Sequence, residues 1–232
     1  MNTDIYCAEL CKLSYLNKRN NCLFIDNKKT DCQCYIDYKD IGVFITFRGT
    51  TSLDDWKHDV DTRTVNPKDN IRIHKGFYDQ YMSVRKIIYN NIKNINNEKI
   101  YISGHSLGGA LAYICAVDIF MVTKNENINV FTIGSPRPGN KDFADYFNKN
   151  IKRSIRYKNK NDIITKMPIR TSFKHVHSSV CLDNGIQKKD KVYNLCVTRF
   201  VNTLCSCVTN IGDLRENHSV DLYINNIKKF NT

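Results

Sequence analysis

The chain has 232 residues and 35 Lys/Arg against 23 Asp/Glu, a formal net charge of +12. Such a length can bury one sizeable α/β core, and no Pro/Gly/Ser-rich linker, internal repeat or low-complexity block divides it, so residues 1–232 are expected to form one domain. No run approaches the roughly 18 apolar residues of a transmembrane helix, and no recognition motif accompanies the basic charge, so nucleic acid is not expected as a partner.

Taken in order, "MNTDIYCAELCKLSYLNKRN" lacks a basic start followed by an apolar run and reads as an amphipathic helix over Ile5–Leu16; with no export signal, a cytoplasmic chain is expected. The ten cysteines include Cys7/Cys11, Cys32/Cys34 and Cys205/Cys207, none at zinc-ligand spacing, and buried free thiols are expected. Strands follow at Gln33–Tyr38 and Gly42–Phe47, a helix at Phe77–Ile95, a strand at Lys99–Ser103 and a helix at Leu107–Val122. Further strands are expected at Ile128–Ile133, Ser154–Tyr157 and Val176–Leu182, with helices at Lys141–Asn148 and Ser219–Lys229. This alternation points to a mostly parallel sheet covered by helices on both faces, with ligands at the carboxyl ends of its strands.

Ser106 lies at such an end. In "YISGHSLGGALAYICAV" (101–117) it sits between strand-like and helix-like residues, flanked by Gly104 and Gly108, whose missing Cβ atoms allow close backbone approach. That is the G-x-S-x-G nucleophile elbow in its proper strand–turn–helix context. A serine hydroxyl needs a base, a group that orients the base, and donors for the oxyanion. Chain order in this fold type is Ser, Asp or Glu, then His. Asp162, in the loop after Ser154–Tyr157, is the expected acid; Asp142 and Asp145 fall in a helix and face water. His218, opening the last helix, is the expected base. His175 and His177 alternate along an expected strand, where a structural role fits better. Leu107 and Thr50 are the expected oxyanion donors, Gly49 allowing the bend before Thr50, and Arg48 is expected in a structural ion pair. The N-x-[ST] sequon Asn217-His218-Ser219 contains the expected base, and a glycan there would obstruct the site, which also speaks for a cytosolic location.

The same residues resemble the class 3 lipase family. The matches are "FRGT" (47–50), "DDWKHD" (54–59), "HKGFYDQY" (74–81), "GHSLGG" (104–109), "GSPRPGN" (134–140), "NDIITKMP" (161–168), "FKHV" (173–176) and "NHSVDLY" (217–223), in family order. Pro138 and His177 depart from the pattern. The resemblance implies an α/β-hydrolase, a triad of Ser106, Asp162 and His218, oxyanion donors Thr50 and Leu107, and lipid esters as substrates. It implies a lid near residues 51–65, with Asp59 bracing Thr50 when it opens. Leu53, Trp56 and Val60 form a narrow apolar stripe on that lid as expected substrate-contacting residues. Phospholipase A1-like action on anionic phospholipid, hydrolysis of small esters, and an inactive lid-gated lipid-binding protein are the alternatives. No metal or cofactor has a task in this chemistry. Lys149–Lys174 holds nine Lys/Arg and one acid, a local charge of +8, which would favour peripheral contact with an anionic lipid surface.

Overall fold

The computed structural model describes residues 2–16, 19–50, 63–92, 94–168, 172–176, 179–183, 186–189 and 215–230. The expected lid residues Leu53, Trp56, Asp59 and Val60, and His177, lie outside them. Eight strands form one sheet in the order β1-β2-β3-β6-β7-β8-β9-β10: β1 (Leu23–Asn27), β2 (Cys32–Lys39), β3 (Gly42–Phe47), β6 (Ile100–His105), β7 (Ile128–Ile133), β8 (Arg153–Asn159), β9 (Val180–Asp183) and β10 (Ile186–Lys189). The run from β3 to β9 is parallel, while β1, β2 and β10 add antiparallel edges. A separate ribbon pairs β4 (Thr64–Lys68) with β5 (Ile71–His74).

Side chains alternate across each central strand, so one sheet supports two cores. Val43, Ile45 and Phe47 of β3, with Ile100 and Ile102 of β6, face helices α2 (Lys75–Asn91), α3 (Leu107–Thr123) and α4 (Lys141–Asn150). Phe44, Tyr101, Phe131 and Tyr157 point the other way, against α1 (Thr3–Leu13) and α5 (Val220–Phe230). Phe44 stacks on Tyr101 at 4.5 Å and meets the edge of Tyr6 at 5.1 Å. Each such fully buried aromatic contributes about 1.5–3 kcal/mol of transfer free energy.

Asn2 and Asn140 cap α1 and α4 with their side-chain oxygens, as short polar residues do at helix starts. Helices α1 and α5 lie side by side, sharing Cys7, Leu10, Cys11, Tyr223, Ile224 and Ile227 in one cluster and bridged at their exposed rims by Lys12–Asp221 and Lys228–Glu9, both 2.6 Å. Cys7, Cys11, Cys32, Cys34 and Cys115 are buried free thiols, and Cys181 is buried as well. Burial pushes the Cys11 and Cys32 thiols up to about 12, which keeps them protonated and unreactive.

Two expectations need correction. The strand expected at Val176–Leu182 begins only at Val180, where it meets Tyr157 of β8. The preceding segment instead lays Lys174 against Gly139 in an isolated bridge, so His175 is not on a strand. Helix α1 stops at Leu13 rather than Leu16, as Ser14 turns its hydroxyl back onto the Cys11 carbonyl at 2.7 Å.

Candidate active site

Ser106 is buried between β6 and α3 with φ +57° and ψ −131°, a strained conformation for a residue with a side chain. The strain is enforced by close packing on both sides. A Cβ on Gly104 would meet the Gly108 carbonyl at 2.2 Å, and one on Gly108 would meet the Phe47 oxygen at 2.3 Å. The elbow is therefore pressed onto the carboxyl end of β3, which brings the 48–50 loop beside it. A Cβ on Gly49 would lie 3.1 Å from the Ser106 Cβ. Leu107, the first residue of α3, is buried, and its N–H belongs to a helix start, where amide groups lack partners within the helix. Thr50 is partly exposed beside Gly49.

The structure brings Asp162 and His218 together. His218 Nδ1 lies 2.8 Å from Asp162 Oδ2 in a site where both side chains are almost wholly buried. Asp162 Oδ2 also accepts from the Tyr223 hydroxyl at 2.6 Å, and Oδ1 accepts the Ile164 N–H at 2.9 Å. Tyr223 in turn accepts the Asn159 N–H at 2.9 Å. Burial first, and then the adjacent Asp162 carboxylate, push the Tyr223 phenol far above its ordinary range, so it stays a donor. The carboxylate is held by three donors and fixes the imidazole with Nδ1 protonated, which leaves Nε2 as the basic nitrogen.

That Nε2 is buried and has no hydrogen-bond partner among the described residues, so Ser106 and His218 are not hydrogen-bonded to each other. They are nonetheless neighbours: the Ser106 N–H donates to Ile133 O at 3.0 Å, and a Cβ on the next residue, Gly134, would lie 3.0 Å from His218 Cε1. Catalytic hydrogen bonds are often long before substrate binds and tighten in the complex. Gly134, at φ +63°, forms the wall against which the His218–Asp162 pair rests.

The other expected residues fall elsewhere. Asp142 and Asp145 are exposed on α4, as expected, and Asp145 pairs with Lys141. His175 Nε2 hydrogen-bonds the Thr165 carbonyl at 2.5 Å, bracing the turn that follows Asp162. Arg48 donates to the Gln33 side chain at 2.6 Å and lies 5.5 Å from the Tyr15 ring centre. Sequence reasoning missed Tyr15, His105, Gly134 and Tyr223 as members of the site. His105 and Tyr223 stand inside motifs that were singled out, but nothing local to them announces their partners. Among the described residues no three His, Cys, Asp or Glu side chains are gathered as a metal site requires, and no helix is long and apolar enough to cross a membrane.

The Lipase (class 3) family profile matches residues 44–172. The chain is 32% identical over 138 residues to a lipase of Rhizomucor miehei, covering 54% of this chain and 37% of that protein. It is 32% identical over 126 residues to a secreted mono- and diacylglycerol lipase of Malassezia restricta, covering 49% and 42%. It thus spans less than half the length of these two curated relatives. A solved triacylglycerol lipase whose catalytic centre is a serine protease triad matches with a TM-score of 0.72 at 25% identity, covering 86% of this chain and 89% of that one. The fold is the α/β-hydrolase fold of such lipases. The secreted relative overturns the expectation of a cytoplasmic chain. Residues 3–13 are a helix built into the core, so their lack of leader character reflects packing and does not locate the protein.

Proposed function

We propose, for a chain that belongs to the class 3 lipase family, that it is a serine carboxylic-ester hydrolase acting on lipid esters through an acyl-enzyme. The observation that carries this reading is the buried His218–Asp162 pair at 2.8 Å, its Nε2 unengaged, beside a strained Ser106. In the reaction, Ser106 Oγ attacks the acyl carbonyl carbon while His218 Nε2 takes its proton. Asp162 stabilises the imidazolium without itself becoming protonated. The oxyanion of the tetrahedral intermediate accepts from the Leu107 and Thr50 N–H groups. His218 then protonates the leaving alcohol, and a water activated by the same Nε2 releases the fatty acid and restores the serine. The secreted relative favours an extracellular site of action.

In this reading residues 1–232 serve as one domain, with residues 51–65 as a lid whose Leu53, Trp56 and Val60 meet the acyl chain. Exposed Lys160 stands at the carboxyl end of β8 beside the Asp162 loop, which supports attraction to anionic lipid surfaces there, while exposed Lys149, Lys152 and Arg153 stand at the strand's opposite end. Ser106→Ala should lower kcat on a p-nitrophenyl ester by at least about 10³-fold and abolish fluorophosphonate labelling, because a triad acts as a unit; retained activity would sink the reading. Vesicles with anionic lipid should be hydrolysed faster than neutral ones at low salt, with the advantage shrinking once charges are screened over about 8 Å at physiological ionic strength. Equal rates at low salt would remove the charge from the mechanism.

A further inference from the structure

His105 precedes the nucleophile and touches both the base and a residue from the far end of the sequence. Its Nε2 lies 2.8 Å from the main-chain oxygen of His218, and its Nδ1 lies 2.7 Å from the Tyr15 hydroxyl. Its ring sits 4.6 Å from that of His218. Tyr15 follows α1, and its hydroxyl packs against Gly49. The fit there is tight: a Cβ on Gly49 would come within 2.4 Å of the Tyr15 oxygen and 2.7 Å of the His105 carbonyl.

The direction of every bond in this series is dictated by chemistry. The His218 carbonyl can only accept, so His105 Nε2 carries the proton. Burial holds His105 neutral by pushing its pKa well below the usual imidazole range, and a neutral ring protonated at Nε2 has Nδ1 as an acceptor. Tyr15 must then donate to Nδ1.

We propose that Tyr15 and His105 are positioning residues for ester hydrolysis: the hydrogen bonds from Tyr15 through His105 to the His218 carbonyl, with the Tyr15 hydroxyl packed against Gly49, hold the Gly49–Thr50 loop and the base in fixed register around Ser106. The inference rests on the assignment of Ser106, His218 and Thr50 made above. Asp162 grips the His218 ring, and His105 grips its backbone. The loop with one oxyanion donor packs tightly against the same series at Gly49, so donor and base move as one body. Such ties act on transition-state geometry, where small displacements cost large factors in rate, and hardly on substrate affinity.

The test is steady-state kinetics on a soluble p-nitrophenyl ester with Tyr15→Phe, His105→Leu, His105→Gln and the Tyr15→Phe/His105→Leu double variant, each first checked for folding by circular dichroism. Tyr15→Phe should lower kcat about tenfold, the effect of one lost hydrogen bond, with KM within about twofold. As members of one chain the losses should not multiply: the double variant should be no slower than His105→Leu alone. His105→Gln, which keeps an N–H toward the His218 carbonyl, should recover part of that loss. A folded Tyr15→Phe with wild-type kcat, or losses that multiply, would overturn the proposal while leaving Ser106→Ala inactive. Activity surviving in Ser106→Ala would instead overturn the underlying reading. A measurement that needs no variant is ¹⁵N NMR of histidine-labelled wild-type protein: His105 should appear as the Nε2–H tautomer, and an Nδ1–H tautomer would refute the chain.

Discussion

Removing a single oxygen tests how the site holds its carboxylate. In Tyr223→Phe the ring keeps its place in the core between α1, α5 and the sheet, where Tyr223 is fully buried. Two bonds are lost: the 2.6 Å donation to Asp162 Oδ2 and the 2.9 Å acceptance from the Asn159 N–H. A hydrogen bond to a charged group is worth about 1.5–3 kcal/mol, and an orphaned buried N–H costs about 1–3 kcal/mol. Both losses share one oxygen, and relaxation recovers part of them, so we expect a total of about 2–4 kcal/mol. At about 2–4 °C per kcal/mol for a domain of this size, the melting temperature should fall by roughly 5–15 °C. Turnover should suffer much less. Asp162 retains the His218 and Ile164 donors, so kcat on a soluble ester measured well below the new melting temperature should fall by less than about tenfold. Calorimetry and initial rates on the same preparation decide the matter. A melting temperature within 2 °C of wild type, about 1 kcal/mol or less on that scale, would show that the phenol does not support the carboxylate.

Two further outcomes follow from the same geometry. Gly134→Ala places a methyl 3.0 Å from His218 Cε1 and 3.1 Å from Asp162 Oδ2 at φ +63°; we expect a cost of about 1–2 kcal/mol from the backbone alone and at least tenfold lower kcat, and equal kcat would mean the wall yields freely. Acid should also destabilise the protein. His105 is pushed well below its ordinary value of 6.5, mainly by burial and then by His218, and His175 shifts the same way through burial and the neighbouring Arg156. Below that value the unfolded chain binds protons that the folded one refuses. The contribution is therefore intact above about pH 6.5 and lost as pH falls, at about 1.4 kcal/mol per unit for each histidine. Urea midpoints at pH 6 and pH 5 measure it, and a flat or reversed dependence would contradict the burial of these rings.

Much of the fold could be read from local signals. Strands β3 and β7 begin and end where their apolar runs do, and the elbow follows from glycines that must approach one another. Asp162 and His218 were singled out from chain order, as a loop after a strand and the start of the last helix, and the structure pairs them at 2.8 Å. What stayed hidden depends on tertiary partners. Tyr15 looks like any aromatic at the end of an amphipathic helix, and only the folded chain sets its hydroxyl between Gly49 and His105. The β4–β5 ribbon was missed because Pro67 and the Asp69 turn obscure its pattern. The alternation in "FKHVHSSV" imitated a strand, but Lys174 within it bridges Gly139 instead of joining the sheet.

The pairing of α1 with α5 has a consequence for when the protein becomes competent. It joins segments roughly two hundred residues apart, and closing so long a loop costs on the order of 5 kcal/mol of chain entropy. That is more than any one hydrogen bond in the site returns, so the closure must be cooperative with the whole apolar face beneath it. His218 stands at the entry to α5, and Tyr15 stands at the exit from α1. A partly folded or still-emerging chain can already own the Ser106 elbow, yet it has no base held beside it. On the proposed assignment, serine, acid and base are therefore assembled together only when α5 docks against α1.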